Sequence, residues 1–244
     1  MSNLVIIPTY NESENIVDIV KAISALPVPF DILVIDDNSP DGTASLVKEL
    51  QPSFPNLHLL ERPGKAGLGR AYIAGFEWAL QRDYKYICEM DADFSHDPAD
   101  LVRLYNACEN DGADLAIGSR YKSGVNVVNW PMGRVLMSYI ASIYVRVITG
   151  MNIKDTTAGF KCYRSEVIRS IDPGHIRSIG YGFQIEMKFS AWLLGYNIVE
   201  IPIIFTDRRA GTSKMSGGIF SEAMWGVVRM KIVSLFRKPH RIDA

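Results

Sequence analysis

Between Leu4 and Gly118 short apolar runs alternate with segments of helical periodicity, and this alternation leaves few architectures open. Residues 4–7, 32–35, 57–60, 84–90 and 114–118 read as strands. Helical segments fill the intervals at residues 11–26, 44–50, 69–80 and 97–110. The first of these sets Ile16, Ile19, Val20 and Ile23 at helical spacing, as an amphipathic helix requires. The strands are almost continuously apolar, which is the pattern of strands covered on both faces. Repeated βα units of this kind predict an α/β fold with a mainly parallel central sheet flanked by helices.

The second half changes character. A longer helix is expected over residues 132–149, a strand over 159–163, a helix over 183–194 and a strand over 197–203. An amphipathic segment at 219–236 then leads into a basic tail. No Pro/Ser-rich linker or repeat separates the parts, so 1–244 reads as one continuous domain with halves 1–125 and 126–244. The chain is 48% hydrophobic, enough for a full core. Its net charge of −1 gives no sign of a nucleic-acid partner. From Arg208 onward, however, eight Lys/Arg face two acidic residues, a balance suited to an anionic surface or a phosphate-bearing partner. Cys88, Cys108 and Cys162 are far apart in sequence and read as reduced structural thiols of a cytosolic protein. No signal peptide is evident at the start. No uncharged apolar run reaches the ~18–20 residues that span a bilayer, and the longest attempt, 135–145, is stopped by Arg146. The expected location is therefore cytoplasmic, without a transmembrane segment.

The chemistry gathers where the strands end. The fourth runs into Asp91-Ala92-Asp93, two carboxylates spaced i, i+2, at the sheet edge where open α/β folds bind ligands. Such hard oxygens suit Mg²⁺ or Mn²⁺, whose shell is commonly completed by substrate phosphates. The first strand ends in Pro8-Thr9-Tyr10-Asn11-Glu12, the second in Asp36-Asp37 before Ser39-Pro40-Asp41-Gly42, and the fifth in Gly118-Ser119-Arg120-Tyr121. Each has a bland structural explanation alone; four polar ends along one edge point to a ligand site.

These motifs, with the stretch from Thr156 to Lys161, the run Tyr181 to Glu186, and Asp207-Arg208 followed by Gly211, Ser213 and Lys214, resemble the inverting family 2 glycosyltransferases of GT-A fold. Within that family the chain looks most like the dolichyl- and polyprenyl-phosphate mannose synthases, over nearly its whole length. The resemblance implies a GT-A nucleotide-sugar-binding fold, with 1–125 as the donor half and 126–244 as the acceptor half. It implies GDP-mannose as donor and a polyprenyl or dolichyl monophosphate as acceptor. Pro8, Tyr10, Glu12, Ile35 and Asp37 would surround the nucleoside. Asp91, Ala92 and Asp93 would hold ribose, diphosphate and the metal, while Arg120, Arg208 and Lys214 would contact phosphates. Arg134 and Ser138 would receive the lipid phosphate. Some relatives place Gln two residues after the second Asp as a third metal ligand; Ser95 stands here, leaving that position to water.

Arg134, Ser138, Ser142 and Arg146 form one stripe of the 132–149 helix, with Leu136, Ile140, Ile143, Tyr144 and Val147 on the remainder. Either this is a core helix with a wet face, or it lies in a membrane interface beside a lipid substrate. The segment 219–236 is a second candidate membrane contact, or a seat for a small membrane-anchored subunit. Glu186 is either a base or a structural carboxylate paired with Lys188 or an arginine. Residues 64–69 lack the spacing of a P-loop and read as a loop entering a helix. His96 reads as a turn residue supporting the acidic motif. UDP-glucose is an alternative donor, because the motifs fix a diphosphate site better than a base. A nucleotidyltransferase would need a basic Gly-rich loop near the N-terminus, and a non-catalytic subunit would not need both aspartates.

Overall fold

A computed structural model describes residues 3–178, 180–207 and 218–236. In chain order the strands are β1 (Asn3–Thr9), β2 (Asp31–Asp36), β3 (Leu57–Glu61), β4 (Tyr86–Glu89), β5 (Leu115–Ser119), β6 (Val127–Val128), β7 (Lys161–Arg164), β8 (Ile198–Pro202) and β9 (Phe205–Thr206). The helices are α1 (Ile16–Ser24), α2 (Thr43–Leu50), α3 (Leu68–Leu80), α4 (Asp100–Glu109), α5 (Met132–Thr149), α6 (Ser165–Ile171), α7 (Tyr181–Leu193) and α8 (Gly218–Phe236). One seven-stranded sheet has the order β3-β2-β1-β4-β7-β5-β8, and β6 pairs with β9 in a small second sheet.

The main sheet is parallel except for β7, which lies antiparallel between β4 and β5. Strands β1, β2, β4 and β5 thus all deliver their C-terminal ends to the same edge. The order reverses between β1 and β4, so the crevice at that point is where such a sheet takes a ligand.

Alternation of side chains along buried strands builds a core on each face. Leu4, Ile6, Leu33, Ile35 and Ile87 pack with Tyr72, Phe76 and Phe183 from α3 and α7. Val5, Ile7, Ile32, Val34 and Cys88 pack with Ile16, Ile19, Leu101 and Leu104 from α1 and α4. Double coverage explains why the strands carry so few polar residues.

Element boundaries differ from the expected ones mainly near the ligand edge. Helix α1 begins at Ile16, because residues 11–15 are drawn into a turn in which Asn11 is left-handed at φ 57°. Helix α4 begins at Asp100; Asp97 instead closes the preceding turn by accepting the Ala99 N–H at 2.9 Å. The three cysteines, distant in sequence, meet in one core. Cys88 stands opposite Cys162 across β4 and β7, the Cys108 thiol donates to the Cys162 carbonyl at 3.4 Å, and all three are free and buried. Burial pushes the Cys162 thiol well up, the opposite of an activated thiolate.

Candidate active site

The loops after β1 and β2 are laced together by short polar side chains. The Thr9 hydroxyl donates to Asp36 at 2.9 Å, and the Asp37 N–H donates to the Thr9 carbonyl at 3.1 Å. Asn11 N–H reaches Ser39 Oγ at 3.0 Å, Glu12 N–H reaches Thr43 Oγ1 at 3.1 Å, and Ser13 N–H reaches Asp41 at 3.0 Å. Glu12 in turn accepts from Asn15 at 3.0 Å. The turn residues 39–43 therefore brace the first loop, and Pro8, Tyr10, Glu12, Ile35 and Asp37 gather at one end of the sheet.

Asp37 lies 2.9 Å from Arg62, with low exposure on both partners. Burial raises the Asp37 carboxyl above its ordinary range, against the pull of Arg62 and of the Ala66 N–H. The Lys65 ammonium stands 4.9 Å from the centre of the Tyr10 ring. The Gly-rich loop at 64–67 is therefore a wall of the same crevice. Arg62 and Lys65 belong to it although they carry no motif in the sequence.

Beyond β4 the chain turns sharply. Phe94 is left-handed at φ 58°, a conformation rarely adopted by a bulky residue and common at functional turns. That turn lets the Ser95 N–H donate back to Asp93 at 3.1 Å, while the Ser95 carbonyl accepts from Thr206 of β9 at 3.1 Å. Asp93 and Ala92 are buried. Burial, with the charges of Asp91 and Glu89, pushes the hydroxyl of buried Tyr72, on α3, well up. Among the described residues no group of three or more His, Cys, Asp or Glu side chains is arranged to hold a metal. A two-carboxylate donor set with oxygens left to be supplied by substrate fits Mg²⁺ or Mn²⁺, not a soft-metal site.

Arg120 follows β5 and is buried in a two-pronged ion pair. Its Nε and Nη2 meet the Asp155 carboxylate at 2.7 and 2.6 Å, and its own N–H adds a third contact at 2.9 Å. Nη2 also reaches Thr157 Oγ1 at 2.7 Å. Burial opposes ionisation of Asp155, but the Arg120 charge and hydrogen bonds outweigh it and hold the carboxyl low. The Arg120 guanidinium lies 5.2, 5.7 and 5.6 Å from the rings of Tyr121, Trp130 and Phe205.

Arg134 stacks on Trp130 at 3.9 Å and pairs with Asp207 at 3.2 Å. Ser138 is half-buried one turn further along the same helix. His96 stacks on Phe160 at 4.8 Å and meets Phe205 edge-on at 5.1 Å, and Phe205 touches Trp130 at 5.0 Å. An aromatic bridge thus connects the acidic turn to Arg134. Arg208 and Lys214 lie outside the described residues.

Sequence patterns did not reveal what lies beneath this edge. Glu89 accepts from Tyr163 at 2.9 Å, from Gln184 at 2.9 Å and from Lys161 at 3.1 Å. Lys161 also donates to Gln184. Lys188 points away from Glu186 and donates to the Thr156 and Ala158 carbonyls at 2.9 and 2.6 Å. Glu186 instead accepts the N–H groups of Arg177 and Ser178 at 3.3 and 2.9 Å. Lys161 and Gln184 lie in stretches that carry the family resemblance, but nothing in the sequence pairs them with Glu89, the last residue of β4.

Helix α5 is turned inside out. Ser142 is buried and Arg134, Ser138 and Arg146 half-buried, while Met132, Leu136, Ile140, Ile143 and Val147 face outward, Val147 at 75% exposure. Helix α8 packs alongside: the Tyr144 hydroxyl donates to the Met224 carbonyl at 3.1 Å, and Lys231 donates to the Thr149 carbonyl at 3.1 Å. It exposes Trp225, Ile232, Leu235 and Phe236. No described helix is long and apolar enough to cross a membrane.

A mostly parallel sheet with an acidic pair at its switch point and cationic groups around it defines a GT-A-type nucleotide-sugar-binding fold. Residues 4–172 match the family described as glycosyl transferase family 2, and the chain belongs to that family. It is 49% identical over 230 residues to a polyprenol monophosphomannose synthase of Mycolicibacterium smegmatis, covering 94% of this chain and 86% of that one. It is 48% identical over 230 residues to an undecaprenyl-phosphate mannosyltransferase of Micrococcus luteus, covering 94% and 93%. Among solved structures, it resembles glucosyl-3-phosphoglycerate synthase from Mycobacterium tuberculosis, determined with Mn²⁺, UDP-glucose and phosphoglyceric acid. That match has a TM-score of 0.69 at 16% identity, over 94% of this chain and 79% of that one. A mannosyltransferase from Pyrobaculum calidifontis in complex with GDP-Man and Mn²⁺ matches at a TM-score of 0.59 and 13% identity, over 96% and 74%.

Proposed function

We propose that this enzyme transfers mannose from GDP-mannose to a polyprenyl or dolichyl monophosphate, with inversion at the sugar carbon. The observation that carries this reading is a connected row of side chains. It runs from His96, three residues after Asp93, through Phe205 and Trp130 to Arg134, on a helix whose outer face is apolar. The names of the two relatives near half identity support it. Residues 1–125 would form the donor half and 126–244 the acceptor half.

Asp91 and Asp93 would hold a Mg²⁺ or Mn²⁺ ion. When bound, such an ion offsets the charge that develops on a departing nucleoside diphosphate. Pro8, Tyr10, Glu12, Ile35 and Asp37 enclose the nucleoside, with Arg62 against Asp37 and Lys65 over Tyr10. Arg120 is locked on Asp155, so its guanidinium is held rigidly beside the site, and a preorganised group needs no rearrangement during reaction. Arg208 and Lys214 would add phosphate contacts. The attacking group is a lipid phosphate oxygen, already ionised at neutral pH, so no proton has to be removed in the transition state. The engagement of Glu186 by the Arg177 and Ser178 N–H groups agrees with a site that needs no such base. Arg134 and Ser138 orient the acceptor phosphate. The outward faces of α5 and α8 rest on the cytosolic surface of a membrane, where a long-chain lipid is reached, or α8 meets a small membrane-anchored subunit.

The test is a reaction of purified protein with radiolabelled GDP-mannose, Mg²⁺ or Mn²⁺ and a polyprenyl phosphate in detergent, followed by organic extraction. Label in the organic phase is expected; label only from a parallel UDP-glucose reaction would replace the donor. Arg134→Ala is expected to raise KM for the lipid phosphate about tenfold or more, a charge-assisted contact being worth roughly 1.5–3 kcal/mol. An effect on GDP-mannose alone would remove Arg134 from the acceptor site.

A further inference from the structure

Arg134 lies in the first turn of α5, where the positive end of the helix dipole repels a guanidinium. Among the described residues two contacts restrain it. The first is the ion pair with Asp207 at 3.2 Å, partly exposed on both side chains, and ion pairs open to solvent hold their side chains weakly. The second is the ring of Trp130, whose centre lies 3.9 Å from the guanidinium carbon. A flexible cation expected to meet a phosphate edge-on thus depends on an aromatic face for its orientation.

Trp130 is itself well seated. Asn129 before it is left-handed at φ 63°, and Pro131 after it restricts the Trp130 backbone to extended conformations. Phe205 of β9 meets the indole in a T-shaped contact at 5.0 Å. Strand β9 pairs with β6, shortly before Trp130 in the chain, so the small second sheet supports this ring. The Arg120 guanidinium lies 5.7 Å from the same ring centre and is fixed on Asp155. One indole therefore ties the exposed cation of α5 to the buried cation after β5. The indole N–H is buried and has no hydrogen-bond partner among the described residues, a cost that Phe at this place would avoid. What Trp supplies instead is the best cation-binding face of the aromatic side chains.

We propose that Trp130 is a positioning residue for the acceptor. Its ring, supported by Phe205 and the small sheet, holds the plane of the Arg134 guanidinium so that the edge meets a phosphate oxygen of the lipid. Trp130 touches no reacting atom and acts through Arg134. This rests on the reading of Arg134 as the acceptor contact.

The test compares wild type, Trp130→Phe, Trp130→Leu, Arg134→Ala and Trp130→Leu/Arg134→Ala. Tm, kcat and separate KM values for GDP-mannose and a detergent-solubilised polyprenyl phosphate are measured for each. Trp130→Leu should raise KM for the lipid phosphate about 3–30-fold, the worth of a partly desolvated cation–π contact, with KM for GDP-mannose unchanged. Trp130→Phe keeps a ring and should recover most of that loss. With Arg134 already replaced by Ala, Trp130→Leu should cost no more than about twofold further, since residues that act as a unit are not additive. Full additivity, or a parallel rise in both KM values, makes the ring a packing element and overturns the proposal while leaving the acceptor reading intact. An Arg134→Ala enzyme with wild-type KM for lipid phosphate overturns both. If Trp130→Leu does not fold, Trp130→Met, which keeps more bulk and has no π face, takes its place under the same expectations.

Discussion

At the residue scale, the acidic turn shows how one strained position aims a functional group. Phe94 accepts a left-handed backbone at a cost of roughly 1–2 kcal/mol, and Asp93 is thereby held by the Ser95 N–H. Asp93→Ala removes that hydrogen bond, worth about 1 kcal/mol, and the fold should survive. Metal-dependent turnover should fall on the order of 10²–10³-fold, as when a preorganised charge-stabilising group is lost. Kinetics and a thermal melt together check both halves; near-normal turnover would remove Asp93 from the donor site. His96, three residues on, makes a pH prediction. Burial lowers its pKa from 6.5 to about 4, while the charge of Asp93 pulls the other way. Below pH 6.5 the unfolded chain binds a proton that the folded one refuses until about pH 4. Stability should therefore drop by about 3 kcal/mol as pH falls through that window. His96→Gln should flatten this part of the Tm–pH curve, and an unchanged slope would refute the assignment.

At the element scale, the position of the site depends on how closely α3 lies on the sheet. A Cβ on Gly75 would stand 2.6 Å from Ile35 Cδ1 and 2.9 Å from Ile6 Cγ2, so this helix approaches β1 and β2 through a bare backbone. Gly75→Ala should overpack the contact and destabilise by about 1–3 kcal/mol, despite the better helix propensity of Ala. A chemical denaturation midpoint reports it; a neutral or stabilising result would mean that α3 can move outward without loss. The elements themselves were legible: residues such as Ile16, Ile19, Val20 and Ile23 announce α1, and the apolar runs announce the parallel strands. The direction of β7 was not, because Lys161 to Arg164 fit a strand of either sense, and pairing with β4 and β5 is a long-range choice. The short strands β6 and β9, two residues each, lie below the length at which periodicity carries information.

At the scale of the whole molecule, α5 and α8 present an apolar surface, with Val147, Trp225 and Phe236 at 75, 77 and 85% exposure. Replacing Leu136 and Val147 together by Glu should lower co-sedimentation with lipid vesicles by at least about tenfold, since burying each apolar side chain is worth roughly 1.5–3 kcal/mol. Turnover of a detergent-solubilised acceptor should change far less. Vesicle binding equal to wild type would place membrane contact elsewhere. The sequence displayed the polar stripe of Arg134, Ser138, Ser142 and Arg146 but not which way it faced, since a 3.6-residue period marks two faces without naming the one that meets the core.

The amino-acid sequence alone determined the βα order, the doubly covered strands and the acidic pair at a strand end, because periodicity and turn chemistry are local. It also carried motifs specific enough to identify the family. Tertiary structure decided the rest: Lys161 behind Glu89, Arg120 on Asp155, Lys65 over Tyr10 and α5 with its apolar face outward. These are contacts between distant segments, fixed by strand order and by the cost of leaving a buried charge without a partner, and no local pattern encodes them.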